Sequence, residues 1–230
     1  GWIATDWTED LLLRTAPLEE YDAWVAGDLP FDSARVRTVI ELWSEIWFNP
    51  EFAYGGREFI VNSSFFDAIM PMFDDPPSCL LHKQGSFLTG LLPEGLEYGR
   101  DYGVFYFPAH DEDLGRPMLI SGDMMGMFNE RDEVRAVMEY FTTPESTLAW
   151  TQKGTAFSPH LQAGPDMYGT ELARDLAAIV EEATSFRFDG SDQMPGEVGT
   201  GSFWHMMTEY VAGAVDLDTA MREIDDSWPR

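Results

Sequence analysis

Residues 33–47, SARVRTVIELWSEIW, set Val36, Val39, Ile40, Trp43 and Trp47 three and four positions apart, so they share one face of an α-helix. Ser33 stands where its side chain caps the first turn. A stripe carrying two tryptophans needs a broad apolar surface to cover it. A chain of 230 residues, 44% hydrophobic and 14% aromatic, is long enough to supply that surface as one or two domains. Such a composition excludes disorder, collagen and coiled coil. The single cysteine, Cys79, allows no internal disulfide, so the fold rests on its core.

Short runs of β-forming residues at 58–61 (EFIV), 78–82 (SCLLH), 102–108 (YGVFYFP) and 117–121 (PMLIS) lie between Gly- and Pro-rich turns and predict strands. A helix is predicted in NERDEVRAVMEYF, with Val134, Val137, Met138 and Phe141 inward. A second opens at Pro144 and stops at Gly154. A third runs over 170–183, with Thr170 as N-cap and Leu172, Leu176 and Ile179 on one face. FWHMMTEYVAG and LDTAMREIDDSW close the chain as a helix pair around Gly213, and the small-residue stretch before Phe203 and Trp204 reads as a turn. Strands alternating with long helices indicate an α/β fold. DEDLGRP (111–117) is the most linker-like stretch, and there is no internal repeat.

Charge narrows the partners. Forty-one acidic residues against 14 basic ones give a net charge of −27, with Lys83 and Lys153 the only lysines. No basic stripe exists to neutralise phosphates, which excludes nucleic acid, and acidic membrane surfaces are disfavoured for the same reason. The balance fits an acidic secreted or periplasmic protein, or one from a salt-adapted source.

Familiar enzyme signatures are missing: there is no G-x-S-x-G, P-loop, G-x-G-x-x-G, H-E-x-x-H or paired C-x-x-C. Cys79 and His82 have the spacing of half a metal site, but no second pair completes it. Asp111, Glu112 and Asp113 lack the ligand alternation and turn glycine of a calcium loop. Asp6, Glu9 and Asp10 cluster beside Trp7, but carboxylates are too abundant here for a neighbouring pair to indicate glycoside hydrolysis. What recurs is a polar group next to an aromatic at an element boundary: GWIATDW (1–7), KQGSFLTG (83–90), SGDMMGMF (121–128) and GSFWH (201–205). Sugars are held by that combination, an aromatic ring against the C–H face and polar groups on the hydroxyls. Each of Trp2, Trp7, Phe87 and Trp204 taken singly is an ordinary core residue; four in turn-flanked settings point to a site.

The ordered stretches CLLHKQGSFLTG (79–90), YGVFYFPAHDE (102–112), PMLISGDMMGMFNERDEVRAVMEYFTTPESTLAWTQKGTAFSPH (117–160), GSFWHMMTEYVAG (201–213) and AVDLDTAMREIDDSWP (214–229) resemble the C-terminal half of the family 1 extracellular solute-binding proteins. These serve ABC sugar importers, and the likeness is to the α-glucoside-binding members, distant relatives of maltose-binding protein. The resemblance implies a type II periplasmic-binding-protein fold, mainly its C-terminal lobe, helix-rich with a small sheet. Residues 1–100 and 163–230 would form that lobe, 101–118 a hinge strand and linker, and 119–162 the excursion that completes the N-terminal lobe. The family's N-terminal half would precede Gly1.

Carried over by position, Phe87 matches the aromatic of the family's glycine turn, where relatives often have Trp. Trp204 matches the stacking aromatic at the entrance to the late helix. Trp2, Asp6 and Trp7 fall among the family's first contacts in the C-terminal lobe, Asp123 lies in the cleft-facing turn after the hinge-return strand, and Ser86 and His205 are further candidates. The resemblance implies a monomeric binding protein, periplasmic or extracellular and in some cases lipoprotein-anchored, that presents an oligosaccharide to a membrane permease. It implies no catalytic residue, metal or cofactor. A glycoside hydrolase is the alternative that the same aromatics and carboxylates would serve.

The charge imbalance generates a test. Raising NaCl from 0.1 to 1 M shortens the Debye length from about 10 to about 3 Å, so self-repulsion among the carboxylates weakens. The melting temperature is expected to rise across that range in a calorimetric scan; a flat or falling curve contradicts this reading of the charge.

Overall fold

The computed structural model describes residues 1–154 and 156–229. Its regular elements in chain order are α1 (Trp2–Thr15), α2 (Leu18–Val25), α3 (Ala34–Trp47), α4 (Gly56–Asn62), β1 (Pro117–Ile120), α5 (Asp132–Phe141), α6 (Leu148–Thr151), α7 (Glu171–Glu181), β2 (Ser185–Phe188), α8 (Gly190–Gln193), α9 (Trp204–Ala212) and α10 (Leu217–Asp226). A π-helical run, Glu197–Phe203, leads directly into α9. The described residues form two compact units: Gly1–His82, Pro108–Ser121 and the chain from Ala183 onward make the first, and Lys83–Phe107 with Gly122–Glu182 the second. No described helix is long and apolar enough to cross a membrane.

In the first unit α3 has the predicted cap and stripe. Ser33 Oγ accepts the Val36 N–H at 3.3 Å, and Val36, Val39, Ile40 and Trp43 are sealed from solvent. Leu12 and Leu13 of α1 and Met207 of α9 are buried likewise. The indole N–H of Trp43 donates to Thr8 Oγ1 at 3.0 Å, so its one polar atom is satisfied inside. A second aromatic cluster joins distant parts of the chain. Trp24, Phe31 and Phe203 meet with ring centroids 4.8–5.6 Å apart, all fully buried. The amphipathic α10 adds Ala220, Met221 and Ile224 to the core, while its Asp225 accepts the N–H groups of Phe31 and Asp32 at 2.7 and 2.8 Å. Arg57 closes the end of α9 by donating to the carbonyls of Val211 and Tyr210, in the last turn where helical donors run short; the Tyr210 carbonyl also accepts the Gly213 N–H at 3.0 Å. β1 and β2 pair in parallel, from Pro117 opposite Ser185 to Ile120 opposite Phe188.

In the second unit a small core of Tyr168, Ala173 and Ala177 packs against Phe157. Thr170 caps α7 as predicted, accepting the Ala173 N–H at 3.1 Å, and Tyr98 reaches α7 by donating to Asp175 at 2.6 Å.

The helix-rich chain with a small parallel sheet agrees with an α/β fold, although the strands differ from those expected. EFIV is part of α4: a short apolar run carries no period of its own. Residues 78–82 and 102–108 find no partner strand among the described residues, and Leu80, Leu81 and Phe105 are largely exposed. PMLIS does form β1, and its partner SFRF is too short and too polar to stand out in the sequence. In α5 the predicted inward face is not buried: Val137 and Phe141 are exposed and Val134 and Met138 only half covered. The expected turn before Trp204 is helical, its glycines permitting a wide coil. Gly199 is the critical one, because a Cβ there would lie 1.8 Å from the Ser191 carbonyl oxygen.

Gly199→Ala is therefore expected to destabilise the first unit by about 3 kcal/mol in urea melts, the upper end of an overpacking cost, because the obstructing atom is backbone. Gly196→Ala, where a Cβ meets nothing within 4 Å, should change stability by less than about 1 kcal/mol. Equal effects would overturn this account of the coil.

Candidate functional site

Trp2, Asp6 and Glu9 follow one another at spacings of four and three along α1 and share a face. The first turn of α1 abuts the first turn of α9. A Cβ at Gly1 would lie 2.3 Å from the Trp204 carbonyl oxygen and 2.6 Å from Trp204 Cβ. The structure thus brings Trp2, Asp6 and Trp204 to one end of two adjoining helices, with His205 exposed beside them. Trp2 and Trp204 are half-buried. Trp2 stands edge-on to Phe65 at 5.4 Å. Trp204 donates its indole N–H to Ser191 Oγ at 3.3 Å, so one edge of the ring is fixed by the protein. Trp7 sits round the helix and packs edge-on to Trp47 at 5.7 Å.

The remaining candidates lie in the second unit. Ser86 and Phe87 open a 3₁₀ turn, Ser86–Leu91, with both side chains exposed. The Phe87 ring leans over Gly85, where a Cβ would come within 2.6 Å of it. Asp123 is exposed in the loop that also bears Met124 and Phe128. Two hollows in the first unit, about 570 Å³ beside Glu58 and Phe59 and about 390 Å³ beside Tyr21 and Arg187, are lined by none of the predicted residues. Among the described residues no cluster of three or more His, Cys, Asp or Glu could hold a metal ion.

Beneath the tryptophan lies Glu9, which the sequence marks only as one of three carboxylates beside Trp7. Glu9 is completely buried, and its carboxylate accepts the N–H groups of Gly190 and Ser191 at 2.6 and 3.1 Å. Asp189 accepts the next one, from Asp192, at 3.1 Å. The first turn of α8 is thereby satisfied by two carboxylates, one local and one from the far end of the chain. Tyr21 donates to the Phe188 carbonyl at 2.9 Å and lies 3.4 Å from Glu9. Burial pushes the Glu9 carboxyl well above the ordinary carboxylate range, repulsion from Asp189 and Asp6 adds to the rise, and the two backbone N–H groups oppose it. Burial and the neighbouring Glu9 charge likewise raise the Tyr21 hydroxyl. The signals that mark this cluster in the sequence are faint: a Glu inside the apolar run WTEDLLL and a helix-capping DGS at 189–191.

Two known proteins match the whole chain closely. It is 40% identical over 230 residues, all of its length, to the osmoprotective compounds-binding protein of Synechocystis sp.. It is 38% identical over 224 residues, 96% of its length, to the alpha-glucosides-binding periplasmic protein of Rhizobium meliloti. The match takes in 54% of the first relative and 48% of the second, so the chain spans about half the length of the curated relatives it matches. The resemblance to half of an extracellular solute-binding protein is borne out along the chain's full length. No family model matches, and no solved structure does so significantly.

The buried Glu9 predicts a pH dependence with a defined sign. A carboxyl whose folded pKa is raised favours the folded state most below its unfolded value, about 4.3, and that contribution is lost as pH rises through the folded value. The stability of the wild type minus that of Glu9→Gln, from urea melts at matched pH, is expected to fall steadily from pH 4.3 upward. A difference that is constant or rises with pH contradicts a raised pKa.

Proposed function

We propose that this chain is the C-terminal half of a periplasmic or extracellular sugar receptor, which binds an α-glucoside or a related small osmoprotective glucoside and delivers it to an ABC permease. The observation that carries the reading is the whole-chain similarity, at 38–40% identity, to two binding proteins whose names specify alpha-glucosides and osmoprotective compounds. The site supports it physically. Half-buried Trp2 and Trp204 each keep part of an aromatic surface open, with Asp6 and His205 nearby, the pairing that a pyranose requires. Trp2, Asp6, Trp7, Trp204 and His205 are the proposed contacts in the first unit, and Ser86, Phe87 and Asp123 those in the second.

In this reading the receptor has a type II fold, acts as a monomer and does no covalent chemistry: a lobe closes over the sugar, and the closed form is what the permease reads. Residues 119–162 belong to the N-terminal lobe of the complete protein. Helix α5 supports that assignment, since none of its residues is buried and Val137, Tyr140 and Phe141 are left exposed. The curated relatives have a further half against which such a face could pack.

Calorimetry of the complete receptor with maltose, trehalose and sucrose, together with an assay for released glucose, tests the function. Saturable binding without glucose release is the expected result, and turnover would replace the receptor with a hydrolase. The role of Trp204 is tested in the same titration. Trp204→Ala should weaken binding by about 1–3 kcal/mol and lower folding stability by well under the roughly 3–5 kcal/mol of a truncated core tryptophan. Full affinity with a large drop in urea resistance would make Trp204 a core residue.

A further inference from the structure

Glu9 has no place among the proposed sugar contacts, being sealed from solvent, yet its partners lead to one of them. Its two carboxylate oxygens take the N–H groups of Gly190 and Ser191. Ser191, itself buried, donates its hydroxyl to Asp189 Oδ1 at 2.8 Å and accepts the Trp204 indole N–H at 3.3 Å. Resting on the receptor reading above, we infer that Glu9 is a positioning residue for Trp204, acting through Ser191 to fix the plane of the indole that a sugar stacks against.

A ring held only by packing at a helix entrance can rock about its side-chain torsions, and stacking is strong only when the face is held parallel to the ligand. One hydrogen bond at the indole nitrogen removes that freedom, provided its acceptor is itself fixed. Ser191 sits in the second position of a four-residue helix, which cannot hold itself rigid. Glu9 supplies the missing restraint by pinning two consecutive amides of that helix to α1, the element whose first turn adjoins Trp204. Asp189 completes the set by orienting the serine hydroxyl, leaving its lone pairs toward the indole. The grip depends on both oxygens of the Glu9 carboxyl accepting, one from each amide. A glutamine amide there would turn a donor toward one of the two N–H groups and break the grip at that point.

The test uses the complete receptor labelled with fluorotryptophan, with the Trp204 resonance assigned by its loss in Trp204→Phe, and maltose as the titrant. Glu9→Gln and Ser191→Ala are each expected to shift or broaden that resonance and to weaken maltose binding about fivefold, the worth of one lost restraining hydrogen bond. The double variant should bind no more weakly than Ser191→Ala alone, since both act along one path. If Glu9→Gln does not fold, Glu9→Asp takes its place, keeping the carboxyl group but standing one methylene short of the two amides. A folded Glu9 variant with an unmoved Trp204 resonance overturns the inference, as does full additivity in the double variant. A shifted resonance with unchanged affinity overturns it too, provided that Trp204→Ala weakens maltose binding. If Trp204→Ala itself leaves maltose binding intact, the receptor reading of Trp204 has failed instead, and with it the premise of the relay.

Discussion

Phe203 is where the first unit is held together. Its ring fills the space between Trp24 and Phe31, residues that precede it by more than half the chain, and all three are inaccessible to solvent. With no disulfide available, edge-to-face aromatic contacts of this kind, each worth about 0.5–1.5 kcal/mol beyond the area they bury, do the joining. The position of Phe203 also settles that of its neighbour. One residue further along the same helical path, Trp204 is carried round the axis to the half-buried surface beside α1. The tryptophan is therefore presented by the core, through a coil whose glycines let it pass close to Ser191.

Around this apolar joint the chain uses its surplus of carboxylates as connectors. Asp225 grips the two amides ahead of α3, Asp216 caps α10, Asp22 holds Arg187, and Glu9 with Asp189 satisfies the start of α8. In each case carboxyl oxygens meet backbone N–H groups or a guanidinium, strong donors for an oxygen acceptor. A strongly acidic composition thus has a structural use as well as an effect on solubility.

Much of this was legible in the sequence where periodicity is long. Helix α3, the caps Ser33 and Thr170, the closing helix pair and strand β1 follow directly from spacing and cap chemistry. EFIV, SCLLH and YGVFYFP were read as strands and form none among the described residues, because strand-forming residues without a period do not reveal whether a pairing neighbour exists. The face of α5 was read correctly as apolar and wrongly as covered, since covering is a tertiary property. Among the candidate contacts Trp2, Trp7, Phe87 and Trp204 were picked out because their residue types advertise them. Glu9 was seen and set aside, because in a chain with 41 acidic residues only burial distinguishes one carboxylate from the others.

The parallel pairing of β1 with β2 has a consequence for how such a chain can change. The stretch between Ile120 and Ser185 leaves from one strand and returns to its hydrogen-bonded neighbour, so its two ends are held side by side. For a segment closed in that way, doubling its length adds only about 0.6 kcal/mol of closure entropy. The intervening residues can therefore change in length at their loops while the strand pair stays as it is, provided that 122–182 keep their packing with Lys83–Phe107 in the second unit.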